Sequence, residues 1–319
     1  MKQSTLCVRN AGFGDMLSQV NTFFHLADVF GFDPRVFIPE NNRRNGLGNR
    51  DFFHQLGFKS IMAPKPAIAR KQATSLSMIA SDTSDTYAFD LGSYNNPDIK
   101  RALGDRGKEG HPKLRQLARN GRLFEEISKH KTGAGGIVVH VRRGDVAQIE
   151  ANDFPDLFDM AVAADKILHR RGVFTYLTLQ ADVPWSARHR FVDTPTHLNV
   201  LNQVKQDVGI SSHILVSDGF TKLAEQLVEG HRDLLIDKTM TAQALEQALG
   251  KELRPLLDGA TKVILGETDH AFYETLHATL GADIIISASP GFLRQLARLF
   301  DLDIRFVDPK SRPVPTVKI

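Results

Sequence analysis

The chain of 319 residues has a single cysteine, Cys7, so it can close no internal disulfide, and a reducing compartment suits it. Cys7 sits in the apolar stretch Thr5-Leu6-Cys7-Val8 and reads as core packing rather than as a nucleophile. No window approaches the ~20 uninterrupted apolar residues of a membrane span. The opening MKQSTLCVRNAGFGD lacks the apolar run of a secretory signal. A cytoplasmic protein is expected, with any membrane role confined to peripheral contact. An excess of charge is also missing: 40 Lys and Arg stand against 37 Asp and Glu, a formal +3. Such a surplus is a weak field for a nucleic-acid backbone, despite a pI near 8.9. The most basic stretch (Lys100, Arg101, Arg106, Lys108, Lys113, Arg115, Arg119, Arg122) is interleaved with acids and followed by one aromatic, Phe124. It reads as a solvated helical face, with contact to an acidic surface as the alternative. Nucleic acid is not an expected partner.

Cofactor signatures are absent too. Gly133-Ala134-Gly135-Gly136 lacks the Lys-Ser/Thr of a phosphate-binding P-loop, and Gly12-Phe13-Gly14-Asp15 is followed by Leu17 where a dinucleotide fingerprint needs glycine. The 12 histidines are scattered without metal-ligand spacing, so neither a metal nor a cofactor is expected. No solenoid-length repeat is visible.

What is present is a chain too long for one ordinary core, 42% hydrophobic and 24% charged, in which strand-like and helix-like stretches alternate. Thr5-Val8, Val36-Ile38, Ser60-Met62 and Tyr87-Asp90 read as strands of a first half. An amphipathic helix from 15 to 30 carries Met16, Leu17, Val20, Phe23, Phe24, Ala27 and Phe30 and ends at Gly31. Residues 63–86 read as a loop. The second half offers strands at Ile137-Val141, Phe174-Leu179, His213-Val216, Asp283-Ile286 and Ile304-Val307, with helices at 154–171, 220–229, 241–257, 268–280 and 291–300. Two α/β domains, 1–130 and 131–319, are expected.

The chemistry concentrates at Gly135-Gly-Ile-Val-Val-His-Val-Arg-Arg-Gly-Asp145. Ile137, Val138, Val139 and Val141 suit a parallel strand buried on both faces. Open α/β sheets bind ligands outside the carboxyl ends of such strands. That end carries His140, Arg142 and Arg143 before Gly144 and Asp145 turn the chain. Adjacent arginines offer permanently charged planar forks for a diphosphate. They also suit stabilising a diphosphate as a leaving group, work otherwise often given to a metal. The plainer reading is a surface pair with Asp145 as salt-bridge partner. Elsewhere, Thr268-Asp269-His270 reads as a polar helix start as readily as a site. Trp185, Arg188 and Arg190 read as a surface turn.

The segment His140-Val-Arg-Arg-Gly-Asp145 resembles the His-X-Arg-X-Gly-Asp motif of the fucosyltransferase superfamily, especially its α1,6 type and the bacterial nodulation enzymes. Two further segments follow in the family's order. Ile214-Leu-Val-Ser-Asp-Gly219 is similar to its second motif. Ala282-Asp-Ile-Ile-Ile-Ser-Ala-Ser289 with Pro290-Gly-Phe-Leu293 is similar to its third, although Pro290 and Gly291 intervene where another serine is usual. Ala11-Gly-Phe-Gly-Asp-Met16 resembles the opening glycine-rich loop, with Asp15 in place of the usual Asn and glutamine displaced to Gln19. The resemblance covers about 8–30 and 135–300; residues 40–130 match nothing.

It implies a GT-B-like fold of two Rossmann-like domains facing a cleft, and an inverting, metal-independent transfer from a GDP-sugar, fucose above all, to a glycan or glycoconjugate hydroxyl. Arg142 and Arg143 would hold the pyrophosphate and His140 would bind the nucleotide or orient an arginine. Ser217 and Asp218 would meet ribose or base, Asp218 doubling as a helix cap. Ser287, Ser289 and the amides of Gly291 and Phe292 would grip phosphate at a helix start, with Pro290 in the first turn. Asp283 would contact guanine or begin its strand. Gly12 and Gly14 would allow close backbone approach and positive φ, and Asp15 would cap the helix or serve as general base. A same-fold transferase using another nucleotide-sugar, or a non-catalytic nucleotide- or glycan-binding protein, is the alternative.

Overall fold

The computed structural model describes residues 2–9, 12–39, 48–65, 71–72, 87–90, 97–130, 136–143, 192–230, 232, 235–266, 269–288 and 290–311. The chain divides into two compact units, one of residues 1–131 with 290–303, the other of residues 132–289 with 304–319. The sequence division at 130 has no counterpart to the return of 290–303 to the first unit. Mixed α/β architecture is found in both.

In the first unit a parallel sheet runs in the order β2 (Phe32–Phe37), β1 (Lys2–Cys7), β4 (Tyr87–Asp90), β3 (Lys71–Gln72). Between β1 and β2 lies α1 (Phe13–Phe30), whose Met16, Leu17, Val20, Phe23, Phe24 and Leu26 are almost wholly buried. Each large apolar side chain so covered contributes about 1.5–3 kcal/mol. Gly31 ends the helix in the left-handed region at φ 70°, its N–H bonded to the Ala27 carbonyl at 2.8 Å. Ser60-Met62 is a correction: Phe58–Ile61 is a 3-10 turn, and only Met62 makes an isolated bridge to Val36. Helices α2 (Asn49–Gln55), α3 (Pro97–Leu103), α4 (Pro112–Arg119) and α5 (Arg122–His130) complete the N-terminal part.

The second unit is built on an all-parallel sheet ordered β7 (Ala260–Leu265), β6 (His213–Ser217), β5 (Ile137–Val141), β8 (Ile284–Ser287), β9 (Arg305–Val307). Strand β5 is central and first in sequence; the chain adds β6 and β7 on one side, then β8 and β9 on the other. That reversal makes the gap between the carboxyl ends of β5 and β8 the topological switch point, where ligands bind in such sheets. Ile137, Val139 and Val141 face a core of Val200, Leu201 and Val204 from α6 (Thr194–Val208) with Leu253 and Leu256 of the 3-10 turn Lys251–Leu256.

Helix α6 and strand β7 were not expected from the sequence. The helix had its signals: Asp193 caps the Thr196 N–H at 2.8 Å, proline stands in the first turn, and Gly209 closes the end at φ 71°. The expected helix 241–257 is α8 (Ala242–Gly250) followed by the 3-10 turn, and 220–229 is α7 (Thr221–Glu225) followed by a wider turn. Helix α9 (Asp269–Leu280) precedes β8. The chain then re-enters the first unit as α10 (Gly291–Phe300), which packs on α1 and α4. The expected helix 154–171 and strand 174–179 lie outside the described residues, as do Trp185, Arg188 and Arg190.

Candidate functional site

Strand β5 alternates its side chains between two faces, and this parity separates the two arginines. Ile137, Val139 and Val141 point to the α6 side, and Arg143 continues that series. It is 0% exposed. Its guanidinium engages Glu252 through two bonds, Nε to Oε2 and Nη2 to Oε1, each 3.2 Å. Nη1 donates to the carbonyls of Arg142 (3.0 Å) and Val192 (3.1 Å), and Nη2 also donates to Thr194 Oγ1 (3.1 Å). A guanidinium has five N–H donors, and these five bonds use the set. The Phe220 ring lies 5.9 Å from the guanidinium carbon. The expectation that Arg143 grips a ligand phosphate, or sits on the surface, is therefore corrected: its charge is spent inside the unit. Removing Glu252 would strand it there, at a cost of about 3–5 kcal/mol.

By the same alternation His140 and Arg142 belong to the opposite face, and both are only partly buried. His140 Nδ1 and Ser287 Oγ share a hydrogen bond of 3.0 Å. The two residues are register partners in β5 and β8, so the bond spans the switch point. Ser287 is wholly buried and acts on the imidazole of His140.

Ser217, Val141's partner at the end of β6, accepts the Gly219 N–H on its hydroxyl at 3.2 Å. Gly219 takes φ 72°, which a side chain rarely tolerates. Asp218 accepts the Arg143 backbone N–H at 2.5 Å. It does not cap a helix, because α7 begins after Phe220; it pins the end of β5. Arg142, His140, Ser217, Asp218 and Ser287 thus share the carboxyl ends of three neighbouring strands.

Asp283 does not join them. It precedes β8 and its Oδ2 accepts the Gly136 N–H at 3.0 Å, tying the amino ends of β5 and β8. Four residues of strand put it roughly 13 Å from Ser287; the strand-start reading holds, since Asp283 directly precedes β8 and its backbone bonds to Gly136 and Arg305. Asp145 and Ser289 lie outside the described residues.

Five expected residues fall in the first unit. Gly12 is the N-cap of α1 with φ −60°, and a Cβ there would meet nothing within 4 Å. Neither Gly12 nor Gly14 has positive φ. At Gly14 a Cβ would stand 3.0 Å from the Phe292 Cα, so the close approach exists, but to the first turn of α10. The rings of Phe13 and Phe52 stack at 4.2 Å, and Phe292 tilts against both at 6.1 and 5.8 Å. Gly291 opens α10 and is exposed, and Pro290 is its N-cap, one position earlier than expected. Asp15 is exposed in the first turn of α1, so it is not the cap; there a carboxylate favours the helix dipole.

Glu252, Thr194 and His197 were not anticipated. The Thr194 hydroxyl donates to Glu252 Oε1 at 3.0 Å, closing a ring with Arg143. His197 in the first turns of α6 is 1% exposed. Its Nδ1 is paired with the Asp193 carbonyl at 3.0 Å, and its Nε2 has no partner among the described residues. Burial, aided by the nearby Arg143 charge, drives its pKa down to about 3. Glu252 lies 109 residues from Arg143 and carries no local signal. In the first unit His25, Asp28 and His111 lie together. His111 Nδ1 accepts the Lys113 N–H (3.2 Å), which leaves Nε2 to donate to Asp28 at 2.9 Å.

No family model matches the chain, and neither does any curated protein. Solved structures that align with it include POFUT1 in complex with GDP. The identity is 12% and the TM-score 0.41, over 96% of this chain and 98% of that chain. POFUT1 in complex with GDP-fucose aligns at 12% and 0.42 (96% and 97%), and its apo-form at 11% and 0.43 (96% and 97%). Likeness at this level leaves the function to be argued from the chain's own residues.

Proposed function

We propose that the protein is a GT-B-like, metal-independent, inverting glycosyltransferase that moves a sugar, fucose above all, from a GDP-sugar to a glycan or glycoconjugate hydroxyl. The observation that carries this reading is Arg142 and the His140–Ser287 pair at the carboxyl ends of β5 and β8, on the switch point of a parallel sheet. The His140-to-Asp145 motif and its two ordered companions support the choice of donor.

In the proposed reaction Arg142 binds the diphosphate and His140, oriented by Ser287, meets the nucleotide. The bond between the anomeric carbon and the diphosphate oxygen breaks and its electron pair leaves with GDP. The Arg142 charge stabilises that pair more in the transition state than in the ground state. The acceptor oxygen bonds to the anomeric carbon from the opposite face, and its proton passes to a base. Asp15 is the proposed carboxylate for that step.

Calorimetric titration of GDP, with and without EDTA, into wild type and Arg142→Ala tests this. Saturable, chelator-insensitive binding that the variant loses is the expected result. A folded wild type that takes UDP or CMP but not GDP sinks the GDP-sugar assignment. Donor turnover over an acceptor panel then separates a transferase from a binding protein.

A further inference from the structure

We infer that Glu252 is a positioning residue for Arg142, acting through the buried guanidinium of Arg143. This rests on the donor-site reading above and adds to it a residue that does not touch the ligand.

The peptide unit joining Arg142 to Arg143 is held at both of its polar atoms. Its carbonyl accepts Arg143 Nη1 at 3.0 Å, and its N–H donates to Asp218 at 2.5 Å. The guanidinium that holds the carbonyl is itself fixed by the two-bond pair with Glu252, by Thr194 and by the Val192 carbonyl. Glu252 is anchored in turn, because its neighbours Leu253 and Leu256 are buried in the core under β5.

Rotating this peptide plane would break a charge-assisted bond on one side and a guanidinium bond on the other. The ψ of Arg142 and the φ of Arg143 are therefore set, and with them the direction in which the Arg142 side chain leaves the strand. A ligand-reading arginine on a loop would lose binding to its own freedom, whereas one on a clamped strand end is pre-organised. A buried ion pair is a poor source of net stability, so the arrangement is better accounted for by the geometry it imposes.

The test uses the full chain. In the double variant Arg143→Met/Glu252→Leu the pair is replaced by apolar side chains, so neither member is left without the other. GDP and GMP are titrated into it and into the wild type. The expected result is GDP affinity weakened by about 10- to 100-fold, GMP affinity within about 2-fold, and an unchanged urea midpoint. That pattern means the second phosphate has lost its partner while the protein has not lost its fold.

Wild-type GDP affinity in the folded double variant overturns the inference, and so does an equal loss for GDP and GMP. A wild type that binds no GDP overturns instead the donor-site reading beneath it. Should the double variant fail to fold, Glu252→Asp, whose carboxylate is drawn back by one methylene, is read by the same GDP-to-GMP comparison.

Discussion

His197 makes the second unit sensitive to acid, and the size of the effect follows from its surroundings. The folded protein holds the ring neutral, because burial first and the Arg143 charge second push its pKa from 6.5 to about 3; the Asp193 carbonyl opposes them only in part. The unfolded chain takes up the proton near pH 6.5. Stability tied to this residue is therefore complete above pH 6.5 and is lost as pH falls toward 3. Each unit of separation is worth about 1.4 kcal/mol, so the loss between pH 7.5 and pH 5 is about 2 kcal/mol, with a ceiling near 5 below pH 3.

The matching perturbation is His197→Phe, which keeps a buried ring of similar shape. It removes the bond to the Asp193 carbonyl at a roughly pH-independent cost of about 1 kcal/mol. Urea melts at pH 7.5 and pH 5, followed by far-ultraviolet circular dichroism, give the stability of each protein. The wild type should lose about 2 kcal/mol more than the variant between the two pH values. Because His111 and His213 are also held below the usual imidazole range by burial, only this difference is diagnostic. Parallel lines for the two proteins would refute the assignment of a buried neutral imidazole beside Arg143.

Arg142→Ala should abolish GDP binding and lower the melting midpoint less than Arg143→Ala does. Arg143→Ala should destabilise the fold by about 3–5 kcal/mol, since Glu252 would be left buried without its partner; equal midpoints for the two variants would contradict the division between them. Gly14→Ala should cost about 1–3 kcal/mol in thermal melts, because the new methyl meets the Phe292 backbone. Gly12→Ser should instead stabilise by only about 0.3 kcal/mol as an N-cap in open space. Asp15→Asn should reduce transfer to an acceptor by at least about 10² while GDP affinity is kept; unchanged turnover would remove Asp15 as the base.

The legible parts of this chain were those whose signal is local. Strand β5 announces itself through Ile137, Val138 and Val139, and α1 through its spaced apolar residues with Gly31 behind them. Helix α6 is equally legible, through Asp193, its proline and Gly209. Strand β7 was not, because an edge strand with Thr261, Lys262 and Val263 exposed has neither a buried run nor a clean alternation. Asp218 was placed at a helix start by its type, but its carboxylate found the Arg143 amide 75 residues earlier in the chain.

By itself the sequence determined that residues 137–141 form a central parallel strand, that cationic side chains and an imidazole lie at its carboxyl end, and that Ser217 and Ser287 close two more strands. Backbone period and apolar content fix these, and both are properties of short segments. It did not determine which arginine is buried. That depended on Glu252 and Thr194 arriving over one face of β5, and on β8 bringing Ser287 to His140. Two arginines adjacent in sequence are chemically identical until the fold surrounds them. The strand's alternation then puts one in the core with a carboxylate and leaves the other at the switch point, because burying a charge without its partner costs more than the chain's marginal stability allows.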